Sequence, residues 1–68
     1  MQTIKVVEEY PMVGGPIKKG TILYEMESTN PGSTSYKDDD GNIYHFDNSE
    51  IMFSSDFKAS FELVSDDK

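Results

Sequence analysis

A chain of 68 residues has room for one domain, and its 13 acidic residues against 6 basic ones give a formal net charge of −7. All six bases are lysine, and there is neither cysteine nor tryptophan. Those counts exclude disulfide staples, thiolate metal sites and cysteine nucleophiles, leave little room for a substrate pocket beside its supporting core, and disfavour direct binding to nucleic acid.

The pattern is β almost throughout. Residues 3–7 predict a first strand with Ile4 and Val6 on one face and Lys5 on the other. Two prolines and two glycines within residues 10–16 make a loop. Ile17-Lys18-Lys19-Gly20 then turns, with Gly20 at a positive φ. Residues 21–27 form the clearest strand, and its alternation predicts Ile22, Tyr24 and Met26 facing inward with Leu23, Glu25 and Glu27 outward.

Residues 28–35 (STNPGSTS) read as a flexible loop by composition. Asp38-Asp39-Asp40-Gly41-Asn42 carries the Asp-Gly step of a tight hairpin. Residues 42–47 return as a strand, with Tyr44 and Phe46 on one face and Ile43 and His45 on the other. After a turn at 47–49, Ile51-Met52-Phe53 predicts a short strand. Residues 54–58 predict one helical turn capped by Ser54 or Ser55, with Asp56 favourable at its start. Phe61-Glu62-Leu63-Val64 closes the chain as a strand, and an acidic tail follows at residues 65–68.

The expected fold class is therefore all-β: a small five-stranded barrel over residues 1–64, with one short helical turn before the last strand. Closure is favoured because an open meander leaves two long edges bare. The predicted core is Ile4, Val6, Ile17, Ile22, Tyr24, Tyr44, Phe46, Ile51, Phe57 and Phe61, with Leu63 beside them. So small a core is marginal, and a homodimer would reinforce it.

Charge is divided unevenly. Residues 1–37 hold four acids and four lysines, whereas residues 38–68 hold nine acids and two lysines and carry the entire −7. Beyond solubility, this predicts a negative face for a basic partner, built on Asp38, Asp39, Asp40, Asp47, Glu50 and Asp56. Tyr10, Met12, Val13, Leu23, Met52 and Phe53 lack an obvious place inside and are the candidates for an apolar contact patch.

Other motifs argue against chemistry. An EF-hand frame with Gly41 at its sixth position would put Tyr36, which cannot ligate, at the first and Asp47 at the twelfth, and no helices are predicted to flank it. His45 is the only imidazole and stands in no nucleophile constellation. Gly14-Gly15 lacks the Gly-Lys-Ser/Thr ending of a phosphate loop. No cofactor, metal or catalytic residue is assigned. No apolar run exceeds three residues, so no membrane segment is expected and the cytoplasm is the default compartment.

The order of elements, with Lys19-Gly20-Thr21-Ile22-Leu23, Tyr44 with Phe46, Ile51, and Phe61-Glu62-Leu63-Val64, resembles the SH3-like barrels among small proteins of phages that infect Gram-positive bacteria. These positions span most of the chain, although each is a signal that many barrels share. Asp38-Asp39-Asp40-Gly41 with Tyr44, and Ser54-Ser55-Asp56-Phe57, are similar to parts of a small phage inhibitor of uracil-DNA glycosylase, over fewer than half the residues. The resemblance implies a fold and a phage origin, and it brings no catalytic residue. The expectation is a non-enzymatic, phage-encoded binder that inhibits or modulates a host protein with a basic surface, with DNA mimicry as its sharpest form. The alternative is a structural or virion-associated barrel that self-assembles.

Overall fold

A computed structural model describes residues 1–27 and 30–66. Five strands and two short helices follow one another: β1 (Gln2–Val6), β2 (Ile22–Met26), β3 (Ser33–Lys37), β4 (Ile43–Asp47), α1 (Asn48–Phe53), α2 (Ser55–Ser60) and β5 (Phe61–Asp66). All pairings are antiparallel, in one sheet of order β4-β3-β2-β1-β5. The chain is thus mainly β, as its alternating pattern predicts. The helices carry it from one sheet edge, β4, to the other, where β5 pairs with β1. No helix among the described residues is long and apolar enough to cross a membrane.

Register decides which side chains meet. Ile4 stands opposite both Leu23 and Leu63, and Val6 opposite Phe61. Tyr36 stands opposite Glu25 and Tyr44, and Thr34 opposite Phe46. Directly opposed residues share a face. The inner face therefore carries Ile4, Val6, Leu23, Tyr36, Phe46 and Phe61, all buried, and they pack with Tyr10, Ile17 and Phe57. Aromatic rings dominate this core: Phe57 stacks on Phe61 at 4.3 Å, and Tyr10 meets Phe61 edge-on at 5.0 Å.

Several expectations change here. β2 faces the opposite way from the one its alternation suggests: Leu23 is fully buried, Ile22 and Met26 lie half-covered on the outer face, and Tyr24 is exposed. Pairing with Ile4 sets this phase, and a shift of one residue would reverse every side chain. Residues 33–35, expected in a loop, belong to β3. Their small polar side chains are accommodated because Ser35 bonds to His45 at 2.7 Å and Thr34 to Asn48 at 2.7 Å. Ser28 and Thr29, the start of that expected loop, lie outside the described residues.

Residues 51–53 are helical rather than extended. Asn48 fastens the start of α1, its backbone N–H donating to Gly32 O at 3.0 Å and its side chain to Pro31 O at 3.0 Å. This turns the chain under the sheet, so Ile51 packs against the core while Met52 and Phe53 stay outside. Ser54 caps α2 by accepting from Phe57 N–H at 3.2 Å, which decides between the two serines that the sequence offers for this role. Ser65 and Asp66 continue β5 opposite Thr3 and Gln2, so the ladder extends two residues beyond the expected domain limit. Asp67 and Lys68, the rest of the expected tail, are outside the described residues. Leu63, placed beside the core from sequence, is exposed. Gly20 takes φ 94°, as its turn requires.

Candidate functional site

The six candidate acids occupy separate places and do different work. Asp38 is only 9% exposed. One carboxylate oxygen accepts from the backbone N–H groups of Asp40 and Asn42, both at 2.9 Å. The other accepts from the Asn42 side-chain amide at 3.0 Å and the Tyr44 hydroxyl at 3.1 Å. This is the side-chain-to-backbone turn that aspartate favours, and Gly41 completes it at φ 85°. The donors, the Asn42 amide foremost, hold the Asp38 carboxyl below the ordinary aspartate value against the opposing effect of burial. Asp38 is thus the organiser of the hairpin, and its oxygens meet hydrogen-bond donors where a cation site would leave them open. Asp39 and Asp40 project from the tip into solvent, and the proximity of Asp39 raises the Tyr24 hydroxyl above its ordinary value.

A depressed aspartate pKa stabilises the fold above the unfolded value, near pH 3.9, and that contribution is lost as pH falls through the lower folded value. Asp38→Asn places an NH₂ donor where the carboxylate accepted bonds. We expect it to lower Tm near neutral pH by about 5 °C and to flatten the acid limb of Tm against pH. Parallel acid limbs for the two proteins would contradict this role.

A second group of acids gathers around α1 and α2. Glu50, in the first turn of α1, accepts from the Tyr10 hydroxyl. Burial, then the Glu50 carboxylate, and more weakly Asp56, push the Tyr10 hydroxyl up to about 12. Glu9, Tyr10, Glu50, Ser54 and Asp56 line an open cleft of about 510 Å³. Glu9 was not among the sequence candidates, because it belongs to the electrically balanced half. Backbone bonds from Val7 and Glu8 to Ser60 O bring that segment against α2. Asp47, exposed, stands at the N-cap of α1 without a capping side-chain bond. Among the described residues, no group of three or more His, Asp or Glu is placed to hold a metal ion.

The apolar candidates divide likewise. Tyr10 and Leu23 are buried in the core and offer no contact surface, which corrects their placement outside. Met12 is half-buried and packs against the core, and Val13 is exposed. Phe53 is 76% and Met52 59% exposed, on a six-residue helix whose neighbours in sequence include Asp47, Glu50 and Asp56. Scattered apolar exposure is ordinary, whereas two adjacent large apolar side chains begin a contiguous patch of the kind that marks an interface.

His45 is exposed on the outer face of the sheet, and its Nδ1 lies 2.7 Å from the hydroxyl of buried Ser35, its partner in register. The pair ties β3 to β4 as cross-strand polar pairs do. Sequence separation concealed it, and only strand register brings it together.

No family model matches this chain, and no curated protein or solved structure shows significant similarity to it.

Proposed function

We propose that this protein is a non-enzymatic binding module whose α1–α2 corner docks on a basic surface of another protein. The observation that carries this reading is the exposure of the adjacent Met52 and Phe53, on a segment of sequence that also holds Asp47, Glu50 and Asp56. Aromatic and methionine side chains supply adaptable apolar contact, and surrounding charge steers association and selects the partner. The strand order β4-β3-β2-β1-β5, with helical turns before the last strand, supports an SH3-like framework that is open between β4 and β5. That the partner is a host protein of a phage, and that the acids imitate DNA, rests on the resemblance to phage barrels and on the concentration of negative charge in residues 38–68.

The test is capture from a bacterial lysate by the immobilised protein, beside Phe53→Ser. The wild type should retain a defined protein at about 50 mM salt and lose at least tenfold of it by about 0.5 M, where screening shortens the reach of surface charge. Phe53→Ser, which should fold because the side chain is outside the core, should retain little. Equal capture by both proteins, or retention indifferent to salt, would refute the reading.

A further inference from the structure

The sheet ends in two strands, β4 and β5, and they are defended unequally. A terminal strand presents unpaired N–H and C=O groups to any extended chain that approaches, and natural edges are blunted by bulges and charge. β5 has both devices. Its register with β1 shifts between Thr3 and Ile4, leaving Val64 unpaired, and it carries Glu62 and Asp66. β4 has neither along most of its length. Its five residues pair with β3 without interruption, from Ser33 opposite Asp47 to Lys37 opposite Ile43. Ile43-Tyr44-His45-Phe46 contains no proline, no lysine and no carboxylate. Beyond β3, β4 pairs with no other strand among the described residues.

The space beside β4 is already shaped. An open groove of about 520 Å³ has residues 42–45 on one side and residues 12–16 on the other. Half-buried Met12 and Tyr44, both packed on the core, contribute apolar lining, and Val13 with Ile43, 52% exposed, adds apolar surface nearer solvent. Gly14 and Gly15 present no side chain on the far side, which permits close approach by another backbone.

Charge selects the occupant. The uncharged run of β4 is bracketed in sequence by Asp38, Asp39 and Asp40 before it and by Asp47 after it. A second copy pairing antiparallel along this edge would bring Asp47 of each chain toward the acidic tip of the other, between molecules of net charge −7. A partner of opposite pattern meets no such repulsion. We propose that the β4 edge receives, by strand addition, an extended segment of another protein: about four or five uncharged, β-branched or aromatic residues flanked at both ends by lysine or arginine. This surface shares Asp47 with the α1–α2 corner but not Phe53, so Phe53→Ser tests that corner without altering the β4 edge.

The probe is the synthetic peptide Lys-Lys-Val-Thr-Val-Tyr-Val-Lys-Lys, titrated into the isotopically labelled protein and followed by amide NMR and hydrogen exchange. The expected result is perturbation centred on residues 43–47, with exchange of their outward amides slowed roughly tenfold at saturation. Ile43→Lys, at an exposed position, should weaken binding about fivefold, the equivalent of about 1 kcal/mol for a lost cross-strand apolar pair, and Phe53→Ser should leave it unchanged. A peptide of the same sequence, N-methylated at alternate residues to remove the ladder donors, should not bind. The proposal is overturned by absence of binding, by equal binding of the methylated peptide, by perturbation confined to β5 or α1, or by a concentration-dependent dimer that protects β4 without peptide.

Discussion

Phe46→Ala is expected to leave the protein largely unfolded at room temperature. Phe46 is 1% exposed, and its ring lies 5.2 Å from Phe57, 5.7 Å from Phe61, 5.8 Å from Tyr36 and 6.1 Å from Tyr10. One side chain thereby joins β4 to β3, to α2, to β5 and to the segment after β1. Removing a buried phenylalanine costs about 3–5 kcal/mol, because the cavity closes only in part. In a chain this short a single hydrophobic core rarely supplies more than about 3–5 kcal/mol of net stability. The loss therefore consumes most of the margin. Circular dichroism melting will show it as a broad, low-temperature transition or none, whereas Phe46→Leu should retain a cooperative melt at reduced Tm. A Phe46→Ala melt within a few degrees of the wild type would mean that the aromatic cluster does not hold the sheet to its helices.

The second large effect is a contrast between neighbours in β2. Leu23→Ala should destabilise by about 3 kcal/mol, since Leu23 is fully buried opposite Ile4. Ile22→Ala, one residue earlier on the half-covered outer face, should cost about 1 kcal/mol or less. Chemical denaturation of the two variants reads the phase of the strand directly. The reverse order would place β2 one residue out of register, with Ile22, Tyr24 and Met26 inside.

That contrast marks a boundary of what alternation reveals. Residues 21–27 show a period of two unmistakably, but three apolar residues fall on one side and Leu23 alone falls with two glutamates. Counting favours the larger set. The structure chooses Leu23 because Ile4, already committed inward, is its neighbour across the ladder. Glu25 tolerates the inner face by accepting from the Gln2 backbone N–H at 2.8 Å. Period is a local property of a sequence, whereas phase belongs to the pair of strands. The same distinction explains β3. Ser33, Thr34 and Ser35 have the composition of a loop, and they become a strand by pairing with β4, and at Ser35 also with β2, where Asn48 and His45 give the Thr34 and Ser35 side chains partners.

For the candidate surfaces, the abundance and position of acids were legible, but their use was not. Asp38 and Glu50 each accept a tyrosine hydroxyl, from Tyr44 and Tyr10 respectively. Nothing in the spacing of these residues distinguishes them from Asp39, Asp40, Asp47 and Asp56, which remain exposed. Tyr10 illustrates the converse. Its loop of prolines and glycines suggested a surface contact, yet a bridge to Ile17 folds the loop back and buries the ring among Phe46, Phe57 and Phe61.

By itself the sequence determined a mainly β fold, the inward face of β1 and β4, the hairpin at Asp38 to Asn42, a serine cap at residue 54 or 55 and the concentration of charge in its second half. These depend on short-range patterning, on turn chemistry and on composition, which any one segment carries alone. Tertiary structure decided the phase of β2, the existence of β3, the helical course of α1, the burial of Tyr10 and the unequal defence of the two sheet edges. Each of those depends on which groups satisfy one another across the fold, and that information resides in pairs of distant residues.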